Sequence, residues 1–145
     1  MMVEQDTIRL LRECDAGIRM GLSAIDDVLD DVSGVDLKQC LRESRFRHER
    51  LQDEIRLLLA KYHDHGKDPN IVAQGMSKLK TSAKLAADPS DATVADLMSD
   101  GCHMGVKSLS RYLNQYKAAD ESSKDITKRL IALEEELDKE VRAYL

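Results

Sequence analysis

The apolar side chains of this chain recur every three or four residues along almost its whole length. That spacing matches the period of an α-helix, so each such segment can bury one face. Residues that break helices and form turns are scarce, with 7 glycines and 2 prolines among 145 residues. A sandwich or barrel of short strands needs many turns of that kind. The pattern therefore predicts an all-α fold.

Breaks in the apolar period divide the chain into five predicted helices. Their approximate bounds are Asp6–Val32, Asp36–His65, Pro69–Ala86, Pro89–Tyr116 and Glu121–Tyr144. The connections between them are short, which predicts that sequential long helices are antiparallel. No linker or internal repeat interrupts the chain. The sequence thus predicts one domain, 1–145, built as an up-down-up-down antiparallel four-helix bundle with a short extra helix between helices 2 and 3.

Acidic residues are predicted to cap four of these helices, because a carboxylate can accept the unpaired N–H groups of a first helical turn. The predicted caps are Asp6, Asp36 with Gln39 as a capping box, and Asp68 and Asp88, each followed by a proline. Gly66 is predicted to end the second helix, since glycine adopts the left-handed conformation of a C-cap readily.

The short predicted helix is amphipathic. Its apolar face consists of Val72, Met76, Leu79, Ala83 and Ala86. Lysines also lie in this helix or just before it: Lys67, Lys78, Lys80 and Lys84. We interpret them as a solvated face, with contact to an anionic membrane surface as the alternative.

Composition and charge exclude several classes of protein. The net charge of −5 opposes binding to a phosphate backbone, and aromatic residues at 3% are too few for base stacking. No apolar run approaches the roughly 20 residues of a membrane span. The first residues lack the basic start and apolar stretch of a signal peptide. Three cysteines without paired spacing indicate a reducing compartment. We expect a cytoplasmic protein with no nucleic-acid partner and no integral membrane segment.

Three stretches carry a resemblance to a known family: Leu10–Gly17, Arg47–Glu54 and Asp100–Lys107. Together with the helix order, they resemble a bacterial four-helix-bundle family of unknown function in the ferritin-like superfamily. The resemblance covers nearly the whole chain. It implies a ferritin-like fold and leaves the function open, because members of the family are named for their fold.

The iron chemistry of ferritin-like proteins places a requirement on inward-facing residues. A di-iron centre takes Glu from each of two helices and Glu-x-x-His from each of the other two. His48 lies at the middle of an apolar face, but Arg45 occupies the position where that motif needs a carboxylate. Asp15 and Glu134 flank the apolar faces of the first and last helices. The candidate metal ligands are therefore His48, Asp15 and Glu134, which form an incomplete set, and no cofactor is predicted.

His48 also has an interpretation that involves no metal. A histidine at the centre of an apolar face is usually buried and hydrogen-bonded within the core. Ser44, one turn earlier, and Asp15, across the bundle, are its candidate partners.

His103 has two interpretations. It follows Asp100 at the spacing of a ligand pair, but both residues are predicted to face water. A solvent-facing histidine on a four-helix bundle is typical of histidine phosphotransfer domains. Those domains carry lysine three and glycine four residues after the histidine, whereas here Lys107 is four and Gly105 two residues after it. A surface histidine is the alternative.

The remaining features are interpreted structurally. All three cysteines, Cys14, Cys40 and Cys102, are predicted to be core thiols. Gly17 with Gly21 and Gly101 with Gly105 form two small-residue pairs, and the second pair is predicted to lie on an apolar face. There it would allow close packing of two helices or leave room for a ligand. The acidic run 134–138 is predicted to be a solvated face.

Three functions remain open on this basis. The residues favour a non-enzymatic cytosolic bundle that acts through protein interaction, as a homodimer. The second is a ferritin-like metal-binding protein whose site is incomplete or lies between subunits. The third is a phosphotransfer carrier that uses His103.

Overall fold

The computed structural model describes residues 2–145, which form five α-helices, one 3-10 helix and no β-strand. The helices are α1 (Met2–Leu29), α2 (Val35–Ala60), α3 (Ile71–Ala87), α4 (Asp91–Gln115) and α5 (Glu121–Val141), followed by the 3-10 helix Arg142–Tyr144. The all-α prediction is confirmed. Met1, the first residue of the predicted domain, lies outside the described residues.

The order of helix directions differs from the predicted up-down-up-down arrangement. The backbone N–H of Gly34, just before α2, donates to Asp91 Oδ2 at 2.8 Å. Asp91 is the first residue of α4, so α2 and α4 begin at the same end of the molecule. These two helices therefore run in the same direction. They were predicted to be antiparallel, because α4 is the next long helix after α2 in the chain.

Helix α3 makes this possible because it returns the chain along α1. Gln74 donates to Ser23 Oγ at 3.2 Å, and Lys78, one turn later, donates to Asp27 at 3.0 Å. Its 17 residues extend the chain by about 25 Å, at roughly 1.5 Å per residue. Both connections that flank α3 reverse the chain, so the prediction failed by treating α3 as a minor insertion between two antiparallel helices.

The four long helices pack as a bundle in which α1 and α5 each contact α2 and α4. Helices α1 and α5 run in the same direction, since Thr7 near the start of α1 accepts the N–H of Asp120, which caps α5. Among residues 2–145, no helix is both long and apolar enough to cross a membrane.

Two helices begin differently from prediction. Helix α1 starts at Met2, so Asp6 lies inside it and accepts the Ala118 N–H at 3.0 Å instead of capping the helix. Gly34 occupies the N-cap position of α2, and Asp36 lies in the first turn. A carboxylate there still interacts favourably with the positive end of the helix dipole.

The predicted caps Asp68 and Asp88 are also wrong, each by two residues. Asn70 caps α3 and Ser90 caps α4, and the Ser90 hydroxyl accepts the Thr93 N–H at 3.2 Å. In both cases the proline precedes the cap and does not open the helix, so a side chain nearer the first turn takes the role.

The buried core is divided into two apolar clusters. One lies at the end where α2 begins and contains Ile25, Val28, Val32, Leu37, Leu41, Leu85, Val94, Ala95, Met98, Cys102, Leu137 and Val141. The other contains Leu11, Cys14, Ile18, Leu51, Ile55, Leu59, Leu109, Ile126 and Leu130. Between the clusters, each long helix contributes one residue to a central polar layer, which consists of Gly21, His48, Gly105 and Glu134.

The apolar face of α3 lies on the outside of the molecule. Its larger members are exposed, at 70% for Val72, 66% for Met76 and 73% for Leu79. Ala83 and Ala86 are exposed as well, and Leu85 is the buried residue of this helix. Helix α3 is held to the bundle mainly by polar side chains, so its apolar stripe faces outward.

Candidate functional site

His48 and Glu134 form a hydrogen-bonded pair in the middle of the bundle. His48 is 0% and Glu134 8% exposed, and His48 Nε2 lies 2.7 Å from Glu134 Oε1. His48 Nδ1 lies 2.7 Å from the Ser44 carbonyl oxygen. The predicted burial of His48 and its contact with Ser44 are confirmed. Its partner across the bundle is Glu134 and not Asp15.

These contacts determine how many protons the pair holds. A carbonyl oxygen only accepts hydrogen bonds, so His48 Nδ1 carries a hydrogen. The short contact from Nε2 to Glu134 then requires one further proton between the two groups. Burial acts to lower the pKa of His48, but the Glu134 carboxylate and the Ser44 carbonyl outweigh it, so the pKa of His48 is raised. The pair therefore shares one proton, and the raised pKa of His48 favours the imidazolium form of the ring.

Glycines on the other two helices leave room for this pair. A Cβ at Gly21 would lie 3.3 Å from the His48 ring, and a Cβ at Gly105 would lie 3.5 Å from Glu134 Oε2. Gly101 is exposed, and a Cβ there would have no described neighbour within 4 Å. The predicted apolar-face position of Gly101 is therefore wrong, while Gly105 faces a carboxylate.

The residues present do not fit a di-iron centre. His48 uses both ring nitrogens in hydrogen bonds, and Glu134 is its only carboxylate neighbour in the central polar layer. Asp15 lies elsewhere. Within residues 2–145, no group of three or more His, Cys, Asp or Glu side chains is arranged to hold a metal ion.

Asp15 instead fastens the loop after α2. It is 0% exposed, and its Oδ2 accepts the Lys67 N–H at 3.1 Å and pairs with Arg19 at 3.0 Å. Helix α2 ends at Ala60, so Gly66 lies within this loop and does not cap the helix as predicted. Gly66 has a φ of +87°, and a Cβ there would overlap Asp15 Oδ2. Glycine is required at this position for both reasons.

Asp138 is the centre of a second polar network that sequence reasoning missed. It is 4% exposed, and it accepts hydrogen bonds from Ser99 at 2.5 Å, Arg142 at 2.5 Å and His103 at 2.9 Å. Burial opposes the ionised carboxylate, but these donors outweigh it and hold the pKa of Asp138 below its usual range. Asp138 is therefore a carboxylate near neutral pH.

The predicted solvated face at 134–138 is thus only half right. Glu134 and Asp138 are buried, while Glu135 and Glu136 are exposed. The signal was present in the spacing, because Glu134 follows Leu130 by one turn and Asp138 continues the same face. Their charge suggested a position in water, whereas their position on the helix placed them inside.

The exposed side of this network is His103, whose side chain is 61% exposed, as predicted. Asp100 does not join it and instead pairs with Lys80 at 3.5 Å. The two residues that have ligand spacing in the sequence therefore form no site together.

The cysteines behave as structural thiols. Cys14 and Cys102 are buried, and Cys40 is half-buried. Burial raises the pKa of Cys14 and of Cys40 to about 12, and it raises the pKa of Cys102, which also lies beside Glu134. A thiol nucleophile needs a lowered pKa, so none of the three is activated.

No protein-family model, curated protein or solved structure matches this chain.

Proposed function

We propose that this protein is a non-enzymatic helical bundle that acts through protein interaction, and that its contact surface is on α3. The observation that carries this proposal is the exposure of Ile71, Val72, Met76 and Leu79, which we call the α3 stripe. These side chains are between 66% and 83% exposed. Their spacing places three of them on one face of the helix. A contiguous exposed apolar surface is typical of an interaction site.

The charges beside the α3 stripe favour a second copy of this chain as the occupant. Lys78 pairs with Asp27 at 3.0 Å, and Lys84 pairs with Asp96 at 3.2 Å. Because these lysines are already neutralised within the chain, they offer little attraction to an anionic membrane. Two copies can bring their stripes together across a twofold axis without repulsion between unpaired like charges.

The surface can extend beyond α3. The ion pairs of Lys84 with Asp96 and Lys80 with Asp100 set an antiparallel register between α3 and α4. That register places Met104, which is 69% exposed, level with Met76. A stable dimer typically buries about 800 Å² per partner, so contributions from α4 support a homodimer better than α3 alone.

The fold is part of the proposal. We assign the bundle to the ferritin-like type, with α3 as its extra crossover helix, because bundles of that type contain one long crossover connection. A metal site is supported less well, since two helices supply glycine to the central polar layer. We also propose a cytoplasmic setting, which the three free cysteines support.

Sedimentation velocity over a range of protein concentrations tests the proposed dimer. We expect the parent to dimerise and Leu79→Lys to remain monomeric with unchanged helicity. Leu57→Lys is the matched control, because Leu57 is 70% exposed on α2 while Leu79 is 73% exposed. A parent that is monomeric at every concentration would contradict the proposal, as would equal dissociation by both variants. Two tightly bound irons per chain, found by elemental analysis, would favour the metal-binding alternative.

A further inference from the structure

His103 is the surface end of a carboxylate–imidazole pair. Its Nε2 lies 2.9 Å from Asp138 Oδ2, and the buried Asp138 is fixed by Ser99 and Arg142. A carboxylate only accepts hydrogen bonds, so the hydrogen of the neutral ring resides on Nε2 and the lone pair on Nδ1. Among residues 2–145, no group forms a hydrogen bond with that Nδ1. The arrangement is that of an oriented nucleophile that is open to solvent.

The surroundings of His103 suit an anionic reactant. His103 lies in an open groove between α4 and α5 that Lys107 and Lys139 also line. Neither lysine forms an ion pair within the described part of the chain. Three acidic residues line the groove. Glu136 is paired with Arg47 at 2.8 Å, and Asp138 is bound by Ser99, His103 and Arg142. Glu135 forms no ion pair within the described residues. Two uncommitted ammonium groups can therefore bind the oxygens of a phosphoryl group.

We propose that His103 is a phosphoryl-acceptor site, with an acyl phosphate or a phosphoramidate as the class of donor. Nδ1 attacks the phosphorus, and a nitrogen–phosphorus bond forms as the bond from phosphorus to the leaving group breaks. An acyl phosphate releases its carboxylate, and a phosphoramidate that is protonated on nitrogen releases ammonia, in each case with the bonding electron pair. The ring gains positive charge in this step, and the Asp138 carboxylate on Nε2–H stabilises it. Asp138 is thus a positioning residue, and the proposal is independent of the α3 stripe.

The chain contains its own comparison histidines. His63 and His65 are both exposed, and neither forms a hydrogen bond or an ion pair with another described side chain. Exposure alone would therefore make all three histidines react alike. The spacing of lysine and glycine around His103 still differs from that of phosphotransfer domains, so the Asp138 contact carries the inference.

The test exposes the full-length protein to acetyl phosphate and, separately, to phosphoramidate, followed by intact-mass and peptide-mapping mass spectrometry. We expect the mass of one acid-labile phosphoryl group, located on His103. His103→Gln should lose it, while the double variant His63→Gln/His65→Gln should label like the parent. No labelling of the parent, labelling of His103→Gln at the parental rate, or equal labelling of His63 and His103 would overturn the proposal.

A second measurement separates orientation from folding. Asp138→Asn should lower the maximum labelling rate by about tenfold or more, since loss of the carboxylate that holds a reactive imidazole in the correct tautomer can cost up to roughly 10⁴-fold. The donor concentration at half-maximal rate should stay unchanged in that variant. Lys107→Gln/Lys139→Gln, which alters only exposed side chains, should instead raise that concentration. If the lysine variant labels with parental kinetics, the groove does not bind the donor and the proposal fails.

Discussion

His48 Nε2 and Glu134 Oε1 lie 2.7 Å apart in the centre of the bundle, on residues separated by 86 positions in the sequence. Each group satisfies the other where little water can reach. Loss of either side chain therefore leaves a buried polar group without a partner, and that penalty exceeds the net gain from one hydrogen bond.

We expect His48→Leu alone to lower the free energy of unfolding by about 3 kcal/mol, because it strands the Glu134 carboxylate. The double variant His48→Leu/Glu134→Leu should recover much of that loss, since neither partner is then left unpaired. Urea denaturation measures both values. Glu136→Gln serves as the control, because it breaks the half-exposed pair with Arg47 and should cost less than about 1 kcal/mol. Equal stability of the single and double variants would show that the pair is not coupled.

The same pair predicts how stability depends on pH. The pKa of His48 is raised in the folded protein, so above about pH 6.5, the usual histidine value, the folded state binds more protons than the unfolded state. The stabilisation is complete below that pH and is lost as the pH rises through the folded pKa of His48. We expect the free energy of unfolding to fall over this range, at up to about 1.4 kcal/mol per pH unit. In His48→Leu/Glu134→Leu the slope should be much smaller, and an unchanged slope would assign it to other groups.

Two glycines one turn apart on α4 should respond oppositely to the same substitution. Gly101→Leu should raise the melting temperature, because the side chain enters open space and glycine costs about 1 kcal/mol in a helix. Gly105→Leu should lower it, because the side chain must displace Glu134, and overpacking costs roughly 1–3 kcal/mol. Thermal melts followed by circular dichroism measure both. Stabilisation by Gly105→Leu would mean that the central polar layer has spare room.

Gly66 and Gly75 provide a second matched comparison. Gly66→Ala should be destabilising, since a left-handed residue other than glycine costs about 1–2 kcal/mol and the new Cβ would overlap Asp15. Gly75→Ala, on the exposed face of α3, should be neutral or stabilising. Chemical denaturation of the two variants compares them directly. Equal effects would mean that the loop at Gly66 adjusts to the new side chain.

Local patterns in the sequence predicted part of this structure well. The helical period indicated the helices, and the position of His48 on an apolar face indicated its burial. The exposure of His103 was predicted from its angular position on its helix, which is well away from the apolar face of that helix. Each of these depends on residues within one or two turns, which is the range over which a periodic pattern carries information.

The features that failed depend on partners distant in the sequence. Asp138 was assigned to water by its charge, yet the hydroxyl of Ser99, 39 residues earlier in the chain, donates to it in the interior. The period of α3 identified its apolar face, but a period does not specify whether another element covers that face. Gly101 illustrates the same limit, since its neighbours depend on how α4 is rotated in the bundle.

The central polar layer also constrains how the helices are aligned along the axis of the bundle. If α2 slid along the bundle, His48 would enter an apolar cluster, reaching the level of Leu51 after about one turn in one direction or of Leu41 after about two turns in the other. Glu134 would then lack its partner, whereas leucines could exchange positions at little cost. We therefore expect the central polar layer to fix the axial register of the helices. It disfavours shifted packings that the two apolar clusters alone would tolerate.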